Sequence, residues 1–323
     1  MDSTDDADAE TVDDEFGSAA NSGSEGNSAG NSSEVVLTTI STGYDHACAL
    51  RDDDTVACWG ANDDGQADPP KGRFTAVSAG ASHSCGLLPS GRAACWGRND
   101  FGQADPPFHT FTAIAAGDQH TCGLRADATI FCWGDNYSGE ADPPPGEFTA
   151  VSAGDQHTCG LRPNGTAVCW GANYDGQANP PDDRLTVIAA GSSHTCGLLA
   201  DATVTCWGDG SHGRTDSPVG TSTAIVADGG RSCALRTDST VKCWGYDQGI
   251  DADPSGTFTA IAAGSVYMCG LRTDGTVDCW GDQRWVQVSP PDGTLTAVAV
   301  GSGHACGLRP AGTAVCWRTK HSE

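Results

Sequence analysis

The spacing of the cysteines constrains the fold of this chain more than any other feature. All sixteen cysteines fall into pairs whose members stand ten positions apart, and a tryptophan follows the second cysteine of every pair. Successive pairs are 37 residues apart, except for one step of 36 after Cys233. The pairs are Cys48 and Cys58, Cys85 and Cys95, Cys122 and Cys132, Cys159 and Cys169, Cys196 and Cys206, Cys233 and Cys243, Cys269 and Cys279, and Cys306 and Cys316. A fixed period of this length is typical of an array of one repeated structural unit.

Each unit has the pattern of short strands joined by turns. The unit that begins at Phe74 reads FTAVSAGASHSCGLLPSGRAACWGRNDFGQADPP, with β-formers at FTAVSAG, HSCGLL and RAACWG and a loop closed by prolines. No segment shows a sustained helical period. Three or four short strands per unit are typical of a β-propeller blade, whereas a solenoid usually has shorter units and distinct caps. We therefore predict an all-β fold with a single β-propeller at residues 37–317, of eight units by count. A disordered acidic leader rich in Ser, Gly and Asn precedes it at residues 1–36, and a tail follows at residues 318–323.

The repeat resembles the RCC1 repeat family of β-propellers. The residues that carry the match are AAGDQHTCGLRADATIFCWGDNYSGEAD at 115–142 and their copies, in which a Gly, a His, a short hairpin, Trp-Gly, Asn and Gly-Gln recur. The unit length and the GQADPP ending are most similar to the compact bacterial branch, which includes a secreted β-lactamase-inhibiting propeller. Known members are usually seven-bladed, so seven blades are the alternative to eight. The sixth copy departs from the pattern, since Asp228 replaces the Gly and Arg231 the His.

The cysteine pairs fit a structural disulfide better than a metal site or a redox switch. If Pro163-Asn164-Gly165 forms a three-residue hairpin loop, Cys159 directly faces Cys169 in a non-hydrogen-bonded position, where Cα atoms are about 4.5 Å apart. Zinc sites usually pair cysteines two to four residues apart, and redox dithiols favour Cys-X-X-Cys. Free buried thiols are the remaining alternative. In four other hairpins the position equivalent to Gly165 is Asp54, Ala128, Ala202 or Ser239. We expect those turns to differ in detail.

Two other recurring features have structural explanations that outweigh ligand binding. Histidines precede the first cysteine by two positions in six copies, but each lies in a different blade and we expect it to bond backbone at a strand end. We therefore predict no metal and no cofactor. The loop NDDGQAD at 62–68 has oxygen-bearing side chains at alternate positions, and calcium binding there stays open. We expect the tryptophans to pack between blades.

Charge and cysteine usage bear on partners and location. The net charge is −25, and the first 36 residues contain ten Asp or Glu without Lys or Arg. Such a surface repels phosphate backbones, so we predict no nucleic-acid partner, and its acidity is typical of a halophilic source. No apolar run is long enough for a membrane span. Disulfides predict an extracellular or cell-surface location. The chain shows no signal peptide, which leaves a cytoplasmic location open.

The variable loops are the candidate functional residues. After each Trp-Gly, large side chains differ between copies while the scaffold repeats: Phe101, Tyr137, Tyr174, His212, Arg214, Tyr246 and Trp285. Rigid aromatic loop residues on one rim are good anchors for a partner. We predict a monomeric, non-enzymatic scaffold that binds a protein or a glycan through one propeller face. A purely structural, adhesin-like module is the alternative. A propeller hydrolase or lyase, or a small-GTPase exchange factor by family analogy, is less well supported because no singular catalytic constellation stands out.

Overall fold

The structure is a computed structural model that describes residues 37–245, 253–281 and 290–318. In these ranges the chain forms eight separate antiparallel sheets, each of three strands that are consecutive in sequence. Each sheet corresponds to one cysteine repeat, which confirms the all-β propeller and the count of eight blades. The predicted leader and residues 319–323 of the tail lie outside the described residues.

The strands take three positions in each blade. The inner strands are β1 (Leu37–Thr42), β4 (Ala76–Ala79), β7 (Phe111–Ala116), β10 (Ala150–Ala153), β13 (Leu185–Ala190), β16 (Ser222–Asp228), β19 (Phe258–Ala263) and β22 (Ala297–Val300). The middle strands are β2 (His46–Arg51), β5 (His83–Leu87), β8 (His120–Arg125), β11 (His157–Leu161), β14 (His194–Leu199), β17 (Arg231–Arg236), β20 (Tyr267–Arg272) and β23 (His304–Leu308). The outer strands are β3 (Val56–Gly60), β6 (Ala93–Gly97), β9 (Ile130–Gly134), β12 (Ala167–Gly171), β15 (Val204–Gly208), β18 (Val241–Gly245), β21 (Val277–Gly281) and β24 (Ala314–Arg318). A short 3₁₀ helix, Ser211–Gly213, follows blade 5.

The hairpin between the middle and outer strands places the two cysteines of a blade opposite each other. In blade 4, Cys159 pairs directly with Cys169, and their Cα atoms are 4.0 Å apart. The turn is closed by the Thr166 carbonyl, which accepts from the Arg162 amide at 2.8 Å, and Gly165 has φ +87°. The same pairing forms a disulfide in all eight blades, so the predicted staples are confirmed.

The expectation that hairpins without glycine differ in their turns is wrong. Ala128 has φ +65° and so takes the same left-handed conformation as Gly165. The preceding residue explains how an alanine is held there, because the Asp127 carboxylate accepts from both the amide and the hydroxyl of Thr129, at 3.1 and 2.6 Å. This side-chain cap fixes the turn and offsets the cost of roughly 1–2 kcal/mol for a left-handed non-glycine residue.

The apolar core lies between blades and not within them. A representative cluster joins Leu124 and Ile130 of blade 3 to Phe148 and Trp170 of blade 4, all buried. Burying large side chains of this kind contributes roughly 1.5–3 kcal/mol each. The tryptophans therefore pack between blades as predicted.

The ring closes where the last blade meets the first. Strands β22 and β23 of blade 8 pack against β1 of blade 1. The Trp59 indole N–H of blade 1 points at the Cys316 sulfur of blade 8, at 2.6 Å. In the part of the chain that the structure describes, no helix is long and apolar enough to cross a membrane.

Candidate functional site: the channel mouth and its loops

Strand direction divides the propeller into two faces. Because neighbouring strands are antiparallel, the inner and outer strands of a blade end at the same face. That face has the turns between inner and middle strands and the loops that follow the outer strands. Backbone hydrogen bonds join these turns to these loops. The Ala61 amide donates to the Asp45 carbonyl at 2.8 Å, and the Asp135 amide donates to the Gln119 carbonyl at 2.9 Å. We call it the mouth face, and the opposite face, with the turns between middle and outer strands, the hairpin face.

A ring of glycines narrows the central channel at the mouth face. Gly117 ends the inner segment of blade 3, and a Cβ added there would lie only 2.5 Å from the carbonyl oxygen of Gly154 in blade 4. Real Cβ atoms essentially never approach a backbone oxygen so closely. Blades 3 and 4 can therefore meet this closely at the channel only because Gly117 lacks a side chain. The same close approach occurs at Gly43, Gly80, Gly154, Gly264 and Gly301.

The residues beside these glycines line a cavity of about 190 Å³ to which all eight blades contribute. Its polar side chains include one tyrosine, Tyr44 of blade 1, and three carboxylates, Asp118 of blade 3, Asp155 of blade 4 and Asp228 of blade 6. Sequence reasoning noted Asp228 only as a departure from the repeat and did not assign these residues to a site. The signal was present, since the residue after each glycine varies between copies.

Asp228 has the most perturbed environment of these groups. It stands where other blades have glycine, and β16 consequently extends by one residue, so that Asp228 pairs with Arg231 across the strand end. Burial, followed by the nearby Asp155 charge, raises the pKa of the Asp228 carboxyl to about 7, although a hydrogen bond from the Gly229 amide at 2.6 Å opposes the shift. Near neutral pH this carboxyl is therefore partly protonated.

The other mouth groups are coupled to one another. Burial, followed by the charge of Asp155, raises the pKa of the Asp118 carboxyl. Burial also raises the pKa of Asp155, although a bond with Ser192 opposes it. The Tyr44 hydroxyl donates toward Asp118, and burial together with the three carboxylates raises its pKa. Like charges close together in a partly dry site repel, so a cation placed here would relieve that repulsion.

Three of the predicted loop aromatics project from consecutive loops of the mouth face. Phe101 is 47% exposed, Tyr174 is 78% exposed and Tyr137 is 90% exposed. Within the described ranges, none of the three rings stacks on another ring or on a cation. Their apolar surface is thus free to contact a partner.

The remaining predicted loop residues have different settings. His212 lies exposed in the 3₁₀ helix with φ +56°. Arg214 is only partly exposed, forms an ion pair with Asp209 and presents its carbonyl to the Trp244 indole N–H at 3.0 Å. Arg214 therefore stabilises the conformation of the loop that follows blade 5. Tyr246 and Trp285 lie outside the described residues.

The loop oxygens considered for calcium serve the loop itself. Asn62 Oδ1 accepts from the Ala67 amide at 2.9 Å, and Gln66 Oε1 accepts from the Asp64 amide at 2.9 Å. Asn173 and Gln177 repeat both bonds in a later blade. These contacts are ordinary side-chain caps of turns.

The expectation that each histidine bonds backbone is wrong for five of the six. In these five, the ring Nε2 lies 2.7–2.8 Å from a Ser or Thr hydroxyl of the next blade: His46 with Ser84, His83 with Thr121, His120 with Thr158, His157 with Thr195, and His194 with Ser232. Only His304 meets a carbonyl, that of Tyr44, at 3.1 Å. The histidines therefore hold blades together, and we call the His–hydroxyl bond a blade key.

Comparison with known sequences finds the regulator of chromosome condensation (RCC1) repeat in six segments that together cover more than half of the chain. They are residues 37–66, 74–103, 111–140, 148–177, 186–214 and 258–284. Most of blade 6, with Asp228, lies between the last two segments. Among curated proteins, no sequence match to the chain is found.

Solved structures with the same fold include two plant receptor ectodomains. The entire ectodomain of the Physcomitrella patens receptor kinase CR4 is 28% identical, with a TM-score of 0.64 over 80% of this chain and 76% of that one. The CRINKLY WD40 ectodomain of the Arabidopsis thaliana receptor kinase ACR4 is 29% identical, with a TM-score of 0.60 over 76% of this chain and 95% of that one. Yeast RCC1 (Prp20), solved bound to Kap60, is 16% identical, with a TM-score of 0.59 over 89% of this chain and 81% of that one.

Proposed function

This chain belongs to the RCC1-repeat family, and from that premise we propose that it is a non-enzymatic scaffold that binds a partner protein through its mouth face. Family members and structural neighbours are generally non-enzymatic propellers. Yeast RCC1 was solved with a protein, Kap60, bound to it. The further assignment to the bacterial branch with the β-lactamase inhibitor stays a prediction.

The exposure of Phe101, Tyr137 and Tyr174 on consecutive loops of one face is the observation that carries this proposal. Large rigid side chains provide contact area at a low cost in conformational entropy, and aromatic anchors of this kind dominate many protein interfaces. The scaffold beneath them is fixed by disulfides and by turn caps, so the rings are presented with little motion of the backbone.

Charge favours a protein partner over a neutral glycan. The two arginines near these loops are both ion-paired, Arg98 with Asp100 and Arg214 with Asp209. Carboxylates also line the mouth itself. A partner with exposed Lys or Arg would complement this face, and its binding would weaken as salt rises.

The expected setting of this function is extracellular. The eight disulfide pairs and the two receptor ectodomains among the structural neighbours support it.

A pull-down from the native medium tests the proposal with three forms of the chain. The mouth variant carries Phe101→Ser, Tyr137→Ser and Tyr174→Ser. The matched control removes exposed apolar side chains near the hairpin face, Phe108→Ser and Val219→Ser, which are 85% and 88% exposed.

We expect the wild type and the control to capture the same protein and the mouth variant to lose it. Capture of one protein equally by all three forms would refute a mouth-face site. Absence of any partner would favour the structural, adhesin-like alternative. A glycan retained by the wild type but not by the mouth variant would replace the protein partner.

A further inference from the structure

The blade keys link only part of the ring. They join five consecutive interfaces, from blades 1 and 2 to blades 5 and 6. At the next two interfaces around the ring, both residues of the blade key are replaced. Arg231 replaces the histidine and Met268 the hydroxyl between blades 6 and 7, and Tyr267 and Ala305 replace them between blades 7 and 8.

Other contacts replace the key at these two interfaces: the Arg231 guanidinium donates to the Val266 carbonyl of blade 7 at 3.0 Å, and apolar side chains cluster at both interfaces. Met268 is buried with Phe258 and Trp280 in a cluster that joins blades 6 and 7. Tyr267 is buried with Val300 and Ala305 between blades 7 and 8. Each of these interfaces therefore has a substitute for the key, which is a guanidinium–carbonyl bond between blades 6 and 7 and packing of buried side chains between blades 7 and 8.

At the interface between blades 8 and 1, only one of the two residues of the blade key is replaced. His304 keeps the histidine, but Ala47 stands where a hydroxyl completes the key elsewhere. The His304 ring instead places Nδ1 3.1 Å from the Tyr44 carbonyl oxygen, and the Ser302 amide donates to the same oxygen at 3.1 Å. The Tyr44 carbonyl is therefore a shared point of attachment between the last and first blades.

No covalent bond reinforces this junction in the described residues. Every disulfide lies within one blade, so Cys306–Cys316 strengthens blade 8 and Cys48–Cys58 strengthens blade 1 without connecting them. Blades 8 and 1 are also each built from their own three strands, with no strand shared between the two sheets. Noncovalent contacts alone hold the junction.

We propose that the propeller opens at the junction of blades 8 and 1, with the Tyr44 carbonyl as the latch. Opening separates Ser302 and His304 from Tyr44. Since Tyr44 and Ser302 also line the mouth, the same motion widens the mouth cavity and moves the Tyr44 hydroxyl away from Asp118. A three-stranded blade that loses a neighbour exposes an apolar face and is barely stable alone, so blade 8 unfolds locally when the latch opens.

Hydrogen exchange of the full chain, read by mass spectrometry with disulfides reduced at the quench, tests the latch. In the wild type we expect amides of β1, β22 and β23 to exchange about tenfold faster than the corresponding strands of blades 2 to 4. Equal exchange around the ring would overturn the proposal, and this result needs no variant.

Two matched substitutions distinguish a latch from simple fraying. Ala47→Ser supplies the hydroxyl that completes a key with His304, and we expect it to slow exchange in blade 8 several-fold. Ala305→Ser makes the same change in blade 8 itself, opposite Tyr267, and should leave exchange at the junction unchanged. If Ala47→Ser and Ala305→Ser give the same exchange in blade 8, the latch is wrong.

Discussion

His120 Nε2 lies 2.8 Å from Thr158 Oγ1 of the next blade, and both side chains are fully buried. The hydroxyl also lies 3.7 Å from the Cys122 sulfur, so one side chain contacts both the histidine and the disulfide of the preceding blade. The pairing explains why a Ser or Thr stands at the second position of the middle strand in blades 2 to 6 and why the same position is apolar in blades 7, 8 and 1. A hydroxyl stands at this position only where the preceding blade has a histidine that can bond with it.

Removing this hydroxyl should destabilise the ring. Thr158→Val keeps the shape but leaves both the His120 ring nitrogen and the Glu140 carbonyl without the Thr158 hydroxyl, which costs about 1–3 kcal/mol or more. Urea unfolding followed by tryptophan fluorescence measures the loss. Thr110→Val, at an exposed position, is the control and should cost less than Thr158→Val. Equal losses for the two variants would show that the key adds nothing specific.

Stability should fall as the pH falls below 6.5. Burial lowers the pKa of His83 and His157 to about 4 and that of His120 to about 3. Since the unfolded chain takes up these protons near pH 6.5, stability that is present at pH 7 is lost progressively toward pH 4. The loss is on the order of 1–2 kcal/mol per histidine at pH 5. The melting temperature, followed by circular dichroism, should therefore be lower at pH 5 than at pH 7.

Asp228 acts in the opposite direction and provides an internal control. Its folded pKa of about 7 exceeds its ordinary value of 3.8, so its contribution is greatest at low pH and is lost as the pH rises through 7. Asp228→Asn should therefore make the fall in melting temperature between pH 7 and pH 5 steeper. A melting temperature that is unchanged or higher at pH 5 in the wild type would contradict the role of the buried histidines.

Gly117 should tolerate no side chain, unlike the equivalent position in blade 6, which holds Asp228. Gly117→Ala places a Cβ 2.5 Å from the Gly154 carbonyl oxygen and must push two blades apart, at a cost of roughly 1–3 kcal/mol or more. Gly139→Ala is the comparison, because it introduces backbone strain without a steric clash. Gly139 has φ +88°, and no atom lies within 4 Å of an added Cβ. Its cost is about 1 kcal/mol of backbone strain. The two melting temperatures should differ clearly, and a smaller loss for Gly117→Ala would refute the packing argument.

One disulfide should contribute a modest, local stabilisation. Replacing Cys159 and Cys169 together by alanine removes a bridge across ten residues, which costs somewhat under ~3 kcal/mol by the chain-entropy account. Guanidinium unfolding of the double variant measures this loss. Peptide mapping without reductant checks that the other seven bridges still form. A variant as stable as the wild type would show that the bridge is dispensable.

The repeat made the scaffold predictable from sequence. Cys159 and Cys169 face each other because strand pairing around a three-residue loop leaves little freedom, and the tryptophans pack between blades because each unit needs a neighbour to bury them. The Ala128 turn was mispredicted, since the cap from Asp127 overrides the intrinsic preference of alanine.

The mouth was not predictable in the same way. Tyr44, Asp118, Asp155 and Asp228 are distant in sequence, and only closure of the ring brings them to one cavity. The hydroxyl partners of the histidines were missed for a related reason, because each of them lies 38 residues along the chain, in the next blade. The halophilic source and the disordered leader stay predictions.

Photo-crosslinking from single positions tests the mouth-face account most directly. A benzophenone amino acid replaces Tyr137 on the mouth face in one form and Asn164 at the tip of a hairpin in another, and both forms are irradiated in the native medium. We expect a crosslinked partner protein from position 137 and none from position 164. A partner crosslinked from position 164 but not from position 137 would contradict it.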